Sequence, residues 1–208
     1  MIVMRNFWSR LVSAVFHPLF MPSIAMIILF SIPSYVAFSV SAQAQRLIII
    51  ILFINTCVAP LLSILFLKRI GMISNVMLDD RADRIYPVLI TTLFYFFTWY
   101  LFRQANLPSL MVYFIVSATI LTLIGFVITF YWKISIHMMS MGGFTGFLIA
   151  VSMALRYDLP LLIIASILIS GFLGTARIKL NAHNPTQVYA GYLTGVLVML
   201  LLFFYFRS

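Results

Sequence analysis

Long apolar runs separated by short polar stretches occupy most of the 208-residue chain. A helix crosses the hydrocarbon core of a bilayer with about 20 apolar residues, because the core is about 30 Å thick and a helix rises about 1.5 Å per residue. Only 8% of the residues are charged, whereas a soluble domain carries about 25%. The chain is therefore predicted to be an all-α, polytopic integral membrane helical bundle, in a bacterial cytoplasmic (inner) membrane.

Hydropathy predicts about seven transmembrane spans, or about six if the proline-bracketed first segment is re-entrant. The predicted spans lie near Leu19–Phe38, Leu47–Leu67, Ile85–Phe102, Leu110–Trp132, Met138–Leu155, Leu159–Thr175 and Val188–Phe206. Residues 1–16 carry apolar side chains at helical spacing, and we expect them to form an amphipathic helix in the interface, with Trp8 at headgroup depth. Residues 17–208 are predicted to form a single transmembrane helical domain.

The net charge of +9 comes from thirteen basic residues that are scattered between apolar runs. Because they form no continuous stripe, nucleic acid is not expected as a partner. Basic residues beside spans more often contact the headgroups of membrane lipids. The single cysteine, Cys57, excludes an intrachain disulfide and a cysteine-cluster metal site.

Three polar stretches are separated from each other by two predicted spans each: 68–84, 133–137 and 177–187. An even number of crossings places them on the same side of the membrane. There they gather Arg84, Lys133, His137, Arg177, Lys179 and His183. Such a group of cations beside two histidines indicates a phosphate site.

The stretch from Arg177 to Gly191 is the most informative in the chain. Five residues separate Arg177 from His183, which would place them on different faces of a continuous helix, so a break between them must bring both to one site. Asn184-Pro185 supplies a helix start, because proline is favoured in a first turn. Gln187 lies one turn beyond His183, within reach of its imidazole.

This stretch resembles the third signature of the type-2 phosphatidic acid phosphatase superfamily, which reads Ser-Arg, five residues, His, three residues, Asp. Arg177 and His183 match in type and spacing, while Ala176 replaces the serine and Gln187 the aspartate. A carboxylate both orients the histidine and stabilises its positive charge, whereas an amide oxygen only orients it.

The two other signatures are represented less completely. Lys133-Ile-Ser135-Ile-His137 is similar to the second signature, Pro-Ser-Gly-His, at the serine and the histidine. The first signature, Lys, six residues, Arg-Pro, is represented by Arg84, with Arg81 as its partner, but Pro87 is displaced. The resemblance covers about two-thirds of the chain, from the loop at residue 79 onward.

The resemblance implies a membrane lipid phosphatase that needs no metal or other cofactor. His183 would be the nucleophile and form a phosphohistidine, His137 would protonate the leaving oxygen and then activate water, and Gln187 would orient His183. The expected phosphate-binding residues are Arg177, Arg84, Lys133 and Arg81. The substrate class would be an isoprenoid diphosphate, phosphatidylglycerol phosphate or phosphatidate.

Two other functions compete with this interpretation. Asp79-Asp80-x-x-Asp83 matches the magnesium-binding pattern of membrane prenyltransferases, although those acids also fit a loop in which they neutralise Arg81 and Arg84. The incomplete first and second signatures are also compatible with a non-catalytic lipid-phosphate binder or transporter. His17, at the end of the N-terminal segment, is expected to be only an interfacial hydrogen-bonding residue.

Overall fold

The structure is a computed structural model that describes residues 2–76, 78 and 80–207, with side chains from residue 7 to residue 206 at these positions. Within that part of the chain all regular structure is helical, as predicted. The α-helices are α1 (Ile2–Val15), α2 (Met21–Ser31), α3 (Tyr35–Phe38), α4 (Ala42–Phe53), α5 (Ala59–Arg69), α6 (Ile85–Gln104), α7 (Ser109–Thr129), α8 (Ile136–Leu155), α9 (Pro160–Lys179) and α10 (Pro185–Arg207).

Six helical segments of the described chain are long and apolar enough to cross a membrane: Ala42–Arg69, Ala82–Gln104, Ser109–Thr129, Ile136–Leu155, Pro160–Lys179 and Pro185–Phe206. Six is the lower of the two predicted counts, and the first predicted segment, Leu19–Phe38, is not one continuous helix. Its α2 has 11 residues, about 16 Å of helix. Pro33 lacks an N–H and disfavours helical backbone at Ile32, so α2 ends there. The side chain of Ser34 then accepts a hydrogen bond at the start of α3.

Contacts divide the chain into two compact units, and the single transmembrane domain expected for residues 17–208 stays a prediction. The first unit consists of Met1–Met21 together with Lys133–Ser208, and the second is Pro22–Trp132. The N-terminal helix therefore belongs to the same unit as α8, α9 and α10. It packs against α9, while its predicted place in the membrane interface stays a prediction.

In the second unit, α6 and α7 form a hairpin, and α5 joins α6 through the loop from residue 70 to residue 81. A π-helical turn, Ile54–Val58, connects α4 to α5. Pro60 follows it and has no N–H to donate to a carbonyl one turn earlier, so a wider turn lets the helix continue as one 28-residue span.

In the first unit, α8 and α10 run parallel with their backbones in close contact. A Cβ atom added at Gly142 would overlap the carbonyl of Tyr192, and one added at Gly195 would overlap the carbonyl of Met139. Small residues four apart let two membrane helices approach in this way. Because the helices are parallel and in register, their first turns lie side by side at one end of the unit.

The N-terminal helix presents its serines to the protein and its aromatic residues outward. Ser9 and Ser13, one turn apart, are buried, whereas Phe7 and Trp8 are about 60% exposed. This orientation is the one that the predicted interfacial helix would need, with its apolar side chains toward the bilayer. On the buried face, the carbonyl oxygen of Ser13 lies 3.3 Å from Nε2 of His137, at the end of the unit where α8 begins.

Candidate functional site

Arg177 and His183 are brought together by a tight turn between α9 and α10. The carbonyl oxygen of Arg177 accepts hydrogen bonds from the backbone N–H groups of Ala182 (3.1 Å) and His183 (3.4 Å). Asn181 adopts the left-handed conformation, with φ of 53°, which asparagine tolerates better than most residues. The helix break predicted from the spacing of the two residues is therefore present, and His183 is buried within the turn.

Asn184 and Gln187 form a reciprocal cap at the start of α10. The Asn184 Oδ1 accepts the backbone N–H of Gln187 at 2.9 Å, and the Gln187 Oε1 accepts the backbone N–H of Asn184 at 3.3 Å. This is the capping-box arrangement, with Gln187 at the third helical position. It holds the Gln187 side chain in one conformation.

The same Gln187 oxygen lies 3.0 Å from Nδ1 of His183, the contact that the sequence spacing predicted. Because the Asn184 N–H donates to this atom, it is the amide oxygen and not the nitrogen. An oxygen only accepts, so the proton of neutral His183 is on Nδ1. The lone pair of the neutral ring is therefore on Nε2.

His137 lies in the first turn of α8, beside the first turn of α10. The backbone N–H of Ser135 donates to the carbonyl of Gln187 at 3.4 Å, and Arg177 and His183 are close enough to interact electrostatically with His137. The Ser135 hydroxyl is fully buried and has no hydrogen-bond partner in the described part of the chain. The first unit thus assembles both predicted histidines with Arg177 and Gln187, and Lys133 lies four residues before His137 in the loop that leads into α8.

His17 joins this group, although the sequence had predicted only an interfacial role for it. Its ring packs edge-to-face on that of His137, with centroids 5.1 Å apart and planes at 83°. Burial, and secondly the charge of Arg177, lowers the pKa of His17 to about 4. All three histidines of the chain therefore lie at one end of the first unit, and His17 is neutral near pH 7.

Arg84 and Arg81 belong to the second unit, where both contact backbone carbonyls. The Nε of Arg84 donates to Leu78 at 2.7 Å, and the side chain is buried. Arg81 is exposed and donates through Nη1 to Tyr131 at 3.0 Å. These contacts give each arginine a local role in its loop, and their predicted contact with phosphate stays a prediction.

Asp83 closes the loop before α6. Its Oδ2 accepts the backbone N–H of Ser74 at 3.0 Å, the backbone N–H of Asn75 at 3.3 Å and the Ser74 hydroxyl. Asp79 of the same acidic pattern lies outside the described residues. Among the residues that are described, no three His, Cys, Asp or Glu side chains group in a way that suits a metal ion.

Fold and site together define a polytopic α-helical membrane protein with a histidine and arginine cluster at the ends of its spans. Comparison of the chain with protein-family models, with curated proteins and with solved structures finds no match.

Proposed function

We propose that the chain is a membrane lipid phosphatase that hydrolyses a phosphate monoester or diphosphate of a lipid through a phosphohistidine on His183. The observation that carries the proposal is the tautomer of His183. With its Nδ1–H given to the Gln187 oxygen, the neutral imidazole carries its lone pair on Nε2. An oriented, neutral imidazole with its lone pair on a known nitrogen is what nucleophilic attack on phosphorus requires.

The position of the cluster supports a lipid substrate. His183 lies between the spans formed by α9 and α10, and His137 lies at the start of the span formed by α8. The ends of spans lie near the headgroups, where a lipid presents its phosphate while its tails remain in the bilayer. Arg177 and Lys133 supply positive charge in this unit, and an arginine fork suits bidentate contact with phosphate oxygens.

The reaction would proceed in two displacements. In the first, Nε2 of His183 forms a bond to phosphorus, the bond from phosphorus to the leaving oxygen breaks, and His137, charged in the phosphate-bound state, gives that oxygen the proton of its Nδ1 and becomes neutral. In the second, His137 takes a proton from water, the water oxygen bonds to phosphorus, and the N–P bond breaks to return its electron pair to Nε2. Arg177 would balance the negative charge that develops on the phosphate oxygens.

The proposed roles of His137 fit the bond that its ring makes. Its Nε2 lies 3.3 Å from the carbonyl oxygen of Ser13, and a carbonyl only accepts, so Nε2 carries a proton. The remaining nitrogen, Nδ1, would gain and lose the transferable proton. Ser13 is in the last turn of α1, where carbonyls lack partners within the helix and favour a nearby positive charge.

Phosphate release from a panel of lipid phosphates by the purified protein, with and without a chelator, tests the proposal. We expect release that survives chelation and an acid-labile radiolabelled phosphate on His183 when a labelled substrate is quenched in alkali. Arg177→Ala should lower release strongly. Arg156→Asn is the matched control, because Arg156 ends α8 at its far end with φ of 51°, a conformation that asparagine accepts.

The other outcomes separate the competing functions. Prenyl transfer that disappears with the chelator would favour a prenyltransferase acting through the Asp79-Asp80-x-x-Asp83 pattern. Lipid-phosphate binding without release or transfer would favour a binder or transporter. Either outcome would refute the phosphatase.

A further inference from the structure

The segment that joins α1 to α2 carries His17 into the cluster. His17-Pro18 follows the end of α1 at Val15, and Pro18 cannot continue a helix because it lacks an N–H. The turn is closed by hydrogen bonds from Phe20 N–H to the His17 carbonyl at 3.0 Å and from Met21 N–H to the Pro18 carbonyl at 3.3 Å. His17 is thereby held in a turn that is fixed at both ends by helices.

The side chain of His17 has a defined protonation state. The backbone N–H of Leu19 donates to its Nδ1 at 3.4 Å, so the proton of the neutral ring is on Nε2. Its other ring neighbour is Phe20, with centroids 6.4 Å apart. A neutral, edge-on ring adds bulk beside His137 without adding a second positive charge next to Arg177.

The end of α1 contacts the same histidine from a second direction. Ser13 lies one turn before His17 and offers its carbonyl oxygen to Nε2 of His137 at 3.3 Å. The Ser13 hydroxyl is also buried and has no hydrogen-bond partner among the described residues. The N-terminal segment therefore gives His137 two contacts, a polar contact with the Ser13 carbonyl and a contact between the rings of His17 and His137.

We propose that His17 is a positioning residue for His137: its ring and the Ser13 carbonyl together hold His137 in one orientation and one tautomer, so that the N-terminal segment completes the site. The role in turnover rests on the proposed function, in which His137 transfers protons. The effect of His17 on the orientation and tautomer of the His137 ring does not depend on that function. The groups that act on His137 are His17 and Ser13 from the N-terminal segment, Arg177 from α9 and His183 from the following turn.

Kinetics on a lipid phosphate test the role in turnover. His17→Ala removes the ring, and we expect kcat to fall about tenfold while KM changes less than about twofold, because orientation for proton transfer and not binding is lost. His17→Phe keeps an aromatic ring at the same place and should recover kcat to within about threefold of the wild type. Trp8→Ala, on the exposed face of α1, is the control for loss of a large side chain from this helix and should leave kcat unchanged.

Two kinetic results would overturn the proposal. One is wild-type kcat in His17→Ala. The other is a His17→Phe protein as slow as His17→Ala, since the ring contact would then not be what matters. In the first case, a fall in kcat/KM with kcat intact would place His17 in substrate binding instead of positioning.

Nitrogen-15 spectra of histidine-labelled protein test the same proposal without any activity. Because the chain has only three histidines, the signal of each ring can be assigned by replacing that histidine and observing which signal disappears. We expect His137 to show a single Nε2–H tautomer near neutral pH in the wild type and in His17→Phe, and an averaged pair of tautomers in His17→Ala. An unchanged His137 signal in His17→Ala would refute the positioning role of His17, whether or not the protein releases phosphate. If the spectra are as expected but no phosphate is released, only the proposed phosphatase function is refuted.

Discussion

Replacing Gln187 separates its role as a helix cap from its role beside His183. Gln187→Ala removes the hydrogen bond to Nδ1 of His183 and the one to the backbone N–H of Asn184. A hydrogen bond of this kind contributes about 1 to 1.5 kcal/mol, and 1.4 kcal/mol corresponds to a factor of about ten in rate. We therefore expect turnover to fall about tenfold and the melting temperature to fall as well.

Asn184→Ala is the matched control for the cap. It removes the Oδ1 that accepts the N–H of Gln187, which costs about 1 kcal/mol of stability. The backbone N–H of residue 184 and the contact between Gln187 and His183 remain. This variant should lose stability but keep its turnover. If Gln187→Ala also keeps wild-type turnover, Gln187 is only a cap, and His183 is oriented by another group.

Gln187→Glu keeps the shape of the side chain and adds a negative charge. The phosphatase signature that this stretch resembles has an aspartate, and hence the same charge, at this position. A carboxylate at the distance of the present contact stabilises the imidazolium and should raise the pKa of His183 by about one to two units. The nucleophile must be neutral, so the acidic limb of the kcat profile should move to higher pH by the same amount. Gln187→Asp is one methylene shorter, and we expect retained or raised activity with a smaller upward shift. A pH profile of Gln187→Glu that coincides with the wild type would show that His183 is not the group that titrates.

Three further results are expected. His183→Ala should abolish phosphate release, whereas His137→Ala should slow both chemical steps and leave lipid binding intact; near-wild-type turnover in His183→Ala would refute its assignment as nucleophile. Gly195→Leu, measured by thermal unfolding against the exposed control Gly171→Leu, should be the more destabilising variant, because only the Cβ at Gly195 meets backbone atoms of α8. The pKa of His17 is about 4 in the folded protein and about 6.5 in the unfolded chain. The contribution of neutral His17 to stability is therefore fully present above pH 6.5, and stability should decrease by at most about 3 kcal/mol as the pH falls to about 4. His17→Phe should lack this part of the acid sensitivity, and equal sensitivity in both proteins would contradict the prediction.

The helices were predictable because their signal is local. Twenty-residue apolar runs fix most of the spans, and the five-residue spacing between Arg177 and His183 requires the turn that the structure contains. Hydropathy alone counts the first segment as a span, whereas its prolines gave the alternative count of six, and Pro33 follows the end of α2 at Ser31. The contact between Gln187 and His183 followed from the same short-range geometry, one helical turn.

The contribution of His17 has no comparable local signal. It approaches His137 across more than a hundred residues of sequence, and it does so only because α1 packs on α9. One clue was present in the sequence: Ser9 and Ser13 repeat at the spacing of one helical turn and place a polar stripe on a helix that should otherwise face lipid. A polar stripe of this kind on a membrane helix points toward protein, and His17 lies one further turn along it.

The charge of the first unit explains how glutamine can occupy the position of the expected carboxylate. The acid of this unit, Asp158, follows the end of α8 opposite to His137, about 30 Å away along a 20-residue helix. His17 is neutral, so Arg177 and Lys133 leave the end that holds the three histidines positive. In the proposed reaction, a dianionic phosphate would be bound by charge that no carboxylate of the unit offsets, while the amide of Gln187 would still fix the tautomer of His183. The imidazolium that would form on His183 during attack would lie beside an amide instead of a carboxylate. Its positive charge must be balanced by the phosphate itself, which favours substrates that keep two negative charges through the first displacement.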